Sequence, residues 1–202
     1  MSVAPSDEGM LSPYRVLDLT DERGLLCGKI LADLGADVIQ VEPPTGSSAR
    51  RIGPFYEDDV DPERSLFWWS YTANKRSITL NLATADGQML LKRLVRSADF
   101  LIESSPPGHM AALGLGYQAL AAINPALIVV SITPFGQDGP YATYQAPDLV
   151  GMGLGGFMYV TGKCTRAAII LVGSRAASRL ANRCSCAPRS NRQRRLPERK
   201  KQ

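Results

Sequence analysis

Five short apolar runs, spaced by segments of helical or loop character, dominate the first 132 residues and limit what this chain can become. They fall at 14–19 (YRVLDL), 37–41 (DVIQV), 77–82 (SITLNL), 99–103 (DFLIE) and 126–132 (ALIVVSI). The third run alternates at period two, and the fifth is the most apolar. Between the first two, Leu25, Leu26, Ile30, Leu31 and Leu34 recur at helical spacing. Gly35 then stands where a helix closes on a left-handed residue. Thr84 is placed to cap a helix over 85–97, with Met89, Leu90, Leu94 and Val95 as its apolar stripe. Shorter helices are expected at 107–113 and 117–123. Pro43 and Pro44 end the second strand, and residues 44–65, rich in Gly, Pro, Ser and acids, read as a long loop of the kind that carries function. Strands that alternate with helices and are nearly continuous in apolar character predict an α/β fold, with a parallel sheet covered by helices on both faces.

The net charge of +4 and isoelectric point near 9.0 suggest a nucleic-acid binder until the charge is mapped. Residues 163–202 hold three Lys and nine Arg against a single acid, Glu198, whereas residues 1–162 hold 11 basic and 18 acidic residues. The body is therefore acidic and only the last segment is basic. That segment contains no Phe, Tyr or Trp on which bases could stack, so nucleic acid is not an expected partner. Its bias toward Arg, Ser, Cys and Pro also fits out-of-frame translation of a GC-rich gene, the reading preferred over a functional basic tail. Residues 180–202 are expected to be disordered. No apolar run approaches the roughly 20 residues of a membrane helix, and Asp7 and Glu8 interrupt the start of the chain, so neither a membrane partner nor a secretory leader is expected. A cytoplasmic location follows as the expectation.

Motifs of general use give little. Gly151, Gly153 and Gly156 formally fit G-x-G-x-x-G, but no strand precedes them and no acid follows at the required spacing, so close helix packing through small residues is the preferred reading. His109, the only histidine, sits in a Pro-Pro-Gly-His loop and reads as a solvated side chain. Neither it nor Cys184-Ser-Cys186 makes a metal site, and none is expected. There is no G-x-S-x-G nucleophile elbow.

Taken in order, several stretches are similar to those of the class III CoA-transferase (CaiB/BaiF) family. They are Val16-Leu-Asp-Leu-Thr20, Leu31-Ala-Asp-Leu-Gly-Ala-Asp-Val-Ile39, Val41-Glu-Pro-Pro44, Asn74-Lys-Arg-Ser-Ile78 and Leu80-Asn-Leu82. Ala98-Asp99, Ile102-Glu103, Leu113-Gly-Leu-Gly-Tyr117, Asn124-Pro125, Phe135-Gly-Gln-Asp-Gly-Pro-Tyr141, Asp148-Leu-Val150, Gly155-Gly156 and Thr161-Gly162 continue the likeness. The resemblance covers about 12–162, read as the N-terminal part of the family's large domain, with 163–202 as a separate basic segment. It implies a Rossmann-like α/β domain truncated before the second domain, interlocked homodimers, and coenzyme A as a substrate rather than a permanently bound cofactor. Family contacts to CoA carry over to Leu80, Asn81, Leu82 and Ala83, to Ser104, Ser105 and Pro106, and to the stretch around Ala146.

The chain departs from the family at informative places. Arginines that would meet CoA phosphates are replaced by Pro43, Pro106 and Ala112, leaving Arg50, Arg51 and Arg76 as candidate substitutes. The transferases carry acyl groups on an aspartate that lies beyond Thr161-Gly162, after a Leu/Val-Gly pair; here the nearest match is Val172-Gly173-Ser174, with no carboxylate. The racemase His-Asp pair reads Pro147-Asp148, so Asp148 is the candidate catalytic residue, either orienting a thioester or simply capping a helix. The resemblance implies a homologue of enzymes that move CoA between an acyl-CoA and a carboxylic acid, inactive as this chain. The alternatives are an acyl-CoA racemase or epimerase homologue, and a non-catalytic acyl-CoA-binding or interaction protein.

Overall fold

In a computed structural model that describes residues 9–160, the five apolar runs form one parallel sheet. The expectations for 163–202 lie outside the described residues. The strands are β1 (Arg15–Leu19), β2 (Asp37–Glu42), β3 (Arg76–Thr79), β4 (Phe100–Glu103) and β5 (Ile128–Ser131). They are ordered β3-β2-β1-β4-β5, so the chain builds outward from β1 in one direction and then restarts on its other side. In open α/β sheets, ligands bind outside the carboxyl ends of the strands near that reversal.

Side-chain alternation along β1, β2 and β4 supplies two cores. Leu17, Ile39 and Leu101 face α3 (Ala85–Val95) and α5 (Tyr117–Ala121), burying Leu91, Val95, Leu115 and Leu120 with them. Val16, Val38 and Ile102 face the opposite way, against Ala32 of α1 (Leu25–Asp33). Helices thus cover both faces, as expected. The burial is uneven, however. β5 is an edge strand whose Ile128 and Val130 are exposed, and β3 is mostly exposed as well, so full burial is confined to the three inner strands. The expected helical stripes are also rotated. On α1 the buried positions are Leu25, Gly28 and Ala32 while Leu26, Ile30 and Leu34 face outward; on α3 they are Gly87, Leu91 and Val95 while Met89 and Leu90 are exposed. Small residues let both helices lie close to the sheet, and that close approach outweighs the pull of the larger apolar side chains.

The expected loop at 44–65 carries three single turns of 3-10 helix, at Ser48–Arg51, Tyr56–Asp58 and Pro62–Arg64. It runs into α2 (Leu66–Thr72), which the sequence reading missed although Ser65 caps it by accepting from the Trp68 amide at 3.1 Å. Trp68 buries its ring with Leu25 and Ala49. β3 ends earlier than the predicted 77–82. Leu80 still donates its amide to the Glu42 carbonyl at 2.9 Å, but the Asn81 side chain then accepts from the Ala83 amide and turns the chain. α4 (His109–Ala112) follows β4.

The chain divides into two compact units between Tyr144 and Gln145. In the second, α6 (Asp148–Leu154) and α7 (Phe157–Val160) are separated by Gly156, whose φ of +78° breaks the helix. A Cβ on Gly151 would meet nothing within 4 Å, so the expected tight packing through this glycine is not found among the described residues.

Candidate functional site

At the carboxyl ends of the strands, the side of the sheet that faces α3 opens into a cleft of about 360 Å³. Its floor is apolar: Leu19 from β1, Val41 from β2, and Leu80, Leu82 and Leu113. Its polar groups come from Glu42 and from three side chains at the rim, Asn81, Ser105 and His109. An apolar pocket with a few convergent polar groups is the usual form of a small-molecule site.

The 80–84 turn that forms one wall is fixed by its own hydrogen bonds. Besides the Asn81 side chain on the Ala83 amide at 3.1 Å, the Thr84 amide and hydroxyl both donate to the Asn81 carbonyl, at 3.1 and 2.8 Å. Thr84 in turn accepts from the Gly87 amide, as the predicted cap of α3, and Gln88 donates to the Leu82 carbonyl at 3.0 Å. Gly87 is obligatory here, since a Cβ would lie 1.9 Å from the Asn81 carbonyl oxygen. The opposite wall follows β4, where Glu103 accepts from the Ser105 amide at 2.7 Å.

Glu42 borders the cleft at the end of β2, but strand alternation turns its carboxylate with Gln40 to the α1 side, where it is already engaged. Arg50 forks onto it at 2.7 and 2.9 Å, the Ser47 amide donates at 3.0 Å, and the Ser77 hydroxyl donates as well. Arg50 is stacked over Trp68 at 4.2 Å and also reaches Glu63. Burial pushes the Glu42 carboxyl up, but the hydrogen bonds from Arg50, Ser77 and Ser47 and the Arg50 charge outweigh it and hold it below its ordinary value.

Of the expected CoA contacts, the structure brings Leu80, Asn81, Leu82, Ala83 and Ser105 into this one cleft. Ser104 is buried and engaged elsewhere: its hydroxyl accepts from the Asp21 amide and donates to the Asp21 carboxylate, both at 2.9 Å, while its carbonyl accepts from Arg23 at 2.8 Å. These bonds tie the turn after β1 to the end of β4. Burial raises the Asp21 carboxyl, yet the bonds from Arg23 and Ser104 bring it below its ordinary value. Pro106 lines a neighbouring pocket of about 170 Å³ beside Leu101, Glu103 and Tyr117. Ala146 and Asp148 belong to the second unit, Asp148 being the first residue of α6; Pro147, not Asp148, holds the cap position.

The proposed substitute arginines are largely committed. Arg50 is held as described, Arg76 pairs with Asp37, and Arg51 donates to the Thr45 carbonyl at 3.4 Å. The sequence reading set His109 aside as a solvated loop residue, yet it lines the cleft. Its position six residues after the end of β4 and beyond a Pro-Pro-Gly turn is the signal that could have placed it there. Among the described residues no group of three or more His, Cys, Asp or Glu side chains could hold a metal ion.

A second polar cluster sits on the α1 side of the same strand ends and is sealed. The Lys75 ammonium donates to Asp18 at 2.8 Å, to the Leu25 carbonyl at 3.0 Å and to Gln40 at 3.1 Å. The other Asp18 oxygen accepts from the Thr20 amide at 3.0 Å and its hydroxyl at 2.6 Å, and Gln40 donates to the Thr20 carbonyl. Side-chain exposure of Lys75 and Asp18 is 1% and 0%, so this pair is out of reach of any ligand. Gly28 makes room for it, since a Cβ there would lie 2.0 Å from Asp18. Nearby, burial and the Asp18 charge push the Cys27 thiol above its ordinary value, against the pull of Lys75.

A parallel sheet of this order, with an apolar cleft at the strand ends next to the reversal, defines an α/β domain of Rossmann type. The profile of CoA-transferase family III matches residues 11–175, and the chain belongs to that family. The match runs past the expected limit at residue 162. Among its relatives is succinyl-CoA:(R)-benzylsuccinate CoA-transferase subunit BbsE of Thauera aromatica, 40% identical over 151 residues that span 75% of this chain and 37% of the relative. Succinate–glutarate CoA-transferase of Agrobacterium fabrum is 41% identical over 167 residues, 81% of this chain and 42% of the relative. A crystal structure of a CaiB/BaiF family protein from Brucella suis superposes with a TM-score of 0.72 at 40% identity, covering 84% of this chain and 45% of that one. The chain therefore spans roughly two-fifths of the length of these relatives. Among the described residues no helix is long and apolar enough to cross a membrane.

Proposed function

We propose that the cleft binds the CoA portion of an acyl-CoA thioester, and that the chain is the CoA-holding part of an enzyme that moves CoA between an acyl-CoA and a carboxylic acid. The observation that carries this reading is the convergence of Leu80, Asn81, Leu82, Ala83 and Ser105 on one cleft at the strand ends. Those five residues were picked out along two separate stretches of sequence, and the fold makes them neighbours. The backbone around Asn81 is held by the turn's own hydrogen bonds, so the wall is formed before a ligand arrives, which lowers the ordering cost of binding. The relatives' names pair CoA with succinate and glutarate, which makes those the first acids to test. The reading includes a homodimer as the assembled form, on the ground of the family resemblance, and the cytoplasm as its location.

The test is calorimetric titration of CoA into the 202-residue chain and into Ala83→Asp. Ala83 is exposed and lines the cleft, so an added carboxylate there repels phosphates without disturbing the core. Saturable binding that weakens about tenfold in the variant supports the reading, a factor within the reach of one like-charge contact. Equal affinity in both proteins, or no binding to either, refutes it.

A further inference from the structure

A second hollow opens beside the cleft on the same face of the sheet. Leu101 and Glu103 stand two apart on β4 and so share that face, and their register partners on β5, Val129 and Ser131, share it too. These four residues line the pocket of about 170 Å³, and Met110 lines both this pocket and the cleft. A cavity of about 150 Å³ takes a benzene-sized group, so there is room for a short stretch of a ligand chain. At the polar end lies Glu103, only 3% exposed. Among the described residues its carboxylate accepts from the Ser105 amide at 2.7 Å and from the Gln137 side chain at 3.5 Å, the outer limit of a hydrogen bond. A carboxylate offers about four acceptor sites, so these two donors leave it with capacity to spare.

A group that enters this pocket must bring hydrogen-bond donors and no negative charge, because a phosphate would meet a buried carboxylate of its own sign. CoA divides along that line. Its phosphates sit on the nucleotide, whereas its pantetheine arm is uncharged and donates through amide N–H groups and a hydroxyl. We propose that this pocket is the subsite for the pantetheine arm, with Glu103 accepting a hydrogen bond from one of the arm's amide N–H groups. The inference rests on the CoA reading above and gives that ligand a direction across the sheet. The arm lies toward β4 and β5, its methylenes against Leu101, Val129 and Met110, and the nucleotide lies toward the 80–83 turn.

The experiment is calorimetric titration of CoA, and separately of ADP, into the full chain, Glu103→Gln and Ser131→Leu. ADP carries the phosphates and lacks the arm. Gln keeps a carbonyl oxygen for the Ser105 amide, and we expect it to weaken CoA about fivefold, the difference between a charged and a neutral acceptor. Ser131→Leu, at an exposed strand end, puts bulk into the pocket and should weaken CoA about tenfold. ADP affinity should stay within about twofold in both variants, as it does for substitutions that touch no ligand atom. CoA affinity unchanged in either variant that folds overturns the subsite, as does ADP weakened as much as CoA, while binding of CoA by the wild-type chain stands. Should Glu103→Gln fail to fold, Ser131→Leu decides alone. Absence of CoA binding by the wild-type chain overturns the CoA reading and this inference together.

Discussion

The same strand ends carry polar groups on both faces of the sheet, and the two sets behave in opposite ways. On the α1 face, Asp18, Thr20, Gln40 and Lys75 satisfy one another completely and exclude solvent. On the α3 face, Asn81, Ser105 and His109 ring an open, apolar-floored cleft. The period-two alternation of β1 and β2 produces the contrast, since Asp18 and Gln40 point one way and Leu19 and Val41 the other. A network in which every donor is spent fixes the positions of β1, β2 and the segment leading into β3. The cleft borders that fixed frame and stays open. One face is sealed and the other is accessible.

Cutting the sealed face should give the largest effect. Lys75→Met leaves Asp18 buried without its cation, and loss of one partner of a buried pair costs about 3–5 kcal/mol. Urea denaturation should register this; a loss under about 1 kcal/mol would mean that the pair is solvated in solution. Gly87→Ala acts on the other face, driving a methyl group against the Asn81 carbonyl. Overpacking of this kind costs about 1–3 kcal/mol and displaces the 80–84 turn, so CoA affinity should fall together with the denaturation midpoint. Unchanged affinity in this variant would separate the turn from the site.

Glu42→Gln tests the border between the two regimes. The folded protein holds the Glu42 carboxyl below its ordinary value of 4.5, so its contribution is fully present above that value and is lost as pH falls through the depressed one. The variant should be less stable at neutral pH by about 2 kcal/mol, the scale of hydrogen bonds to a charged group, with the difference vanishing in acid. Parallel stability-versus-pH curves would contradict this. The smallest effect is expected at Asp148. Asp148→Asn should change CoA affinity by no more than about twofold, as surface substitutions generally do. CoA transfer between succinyl-CoA and glutarate is expected to be undetectable with either protein if the acyl acceptor belongs at Val172-Gly173-Ser174, as the resemblance implies, since that stretch has no carboxylate. Turnover that vanishes in Asp148→Asn would make Asp148 the working residue.

The strands were legible because parallel strands buried on two faces announce themselves locally, as 15–19 and 37–42 do. The proposed contacts at 80–83 and Ser105 rest on resemblance, since nothing in an isolated Leu-Asn-Leu-Ala marks a turn at the edge of a cleft. Ser104 and Ser105 could not be told apart in sequence. The first is buried by its exchange with Asp21 and only the second lines the cleft. Lys75 stood out only within the Asn74–Ile78 stretch of the resemblance, and nothing local marked its pairing, because its partner Asp18 lies 57 positions away. The helical stripes misled for a related reason. Gly28 sits against the Asp18 carboxylate and Gly87 against the Asn81 carbonyl, so each helix turns a glycine inward where the apolar stripe would put a larger side chain.

The distance between Asp18 and Lys75 also imposes a schedule on synthesis. β1 is the first strand made and the central one in the finished sheet, but its neighbour β4 pairs with it only after Phe100–Glu103 has been translated. β1, α1 and β2 emerge much sooner, carrying a carboxylate whose counter-ion has not yet left the ribosome. At roughly 5–20 residues per second, that interval lasts several seconds. An early-closing β1-α1-β2 unit would trap a bare charge beneath α1. Closing β1-α1-β2 before residue 75 has emerged would therefore carry the cost of that unpaired charge, a cost removed once Lys75 is in place.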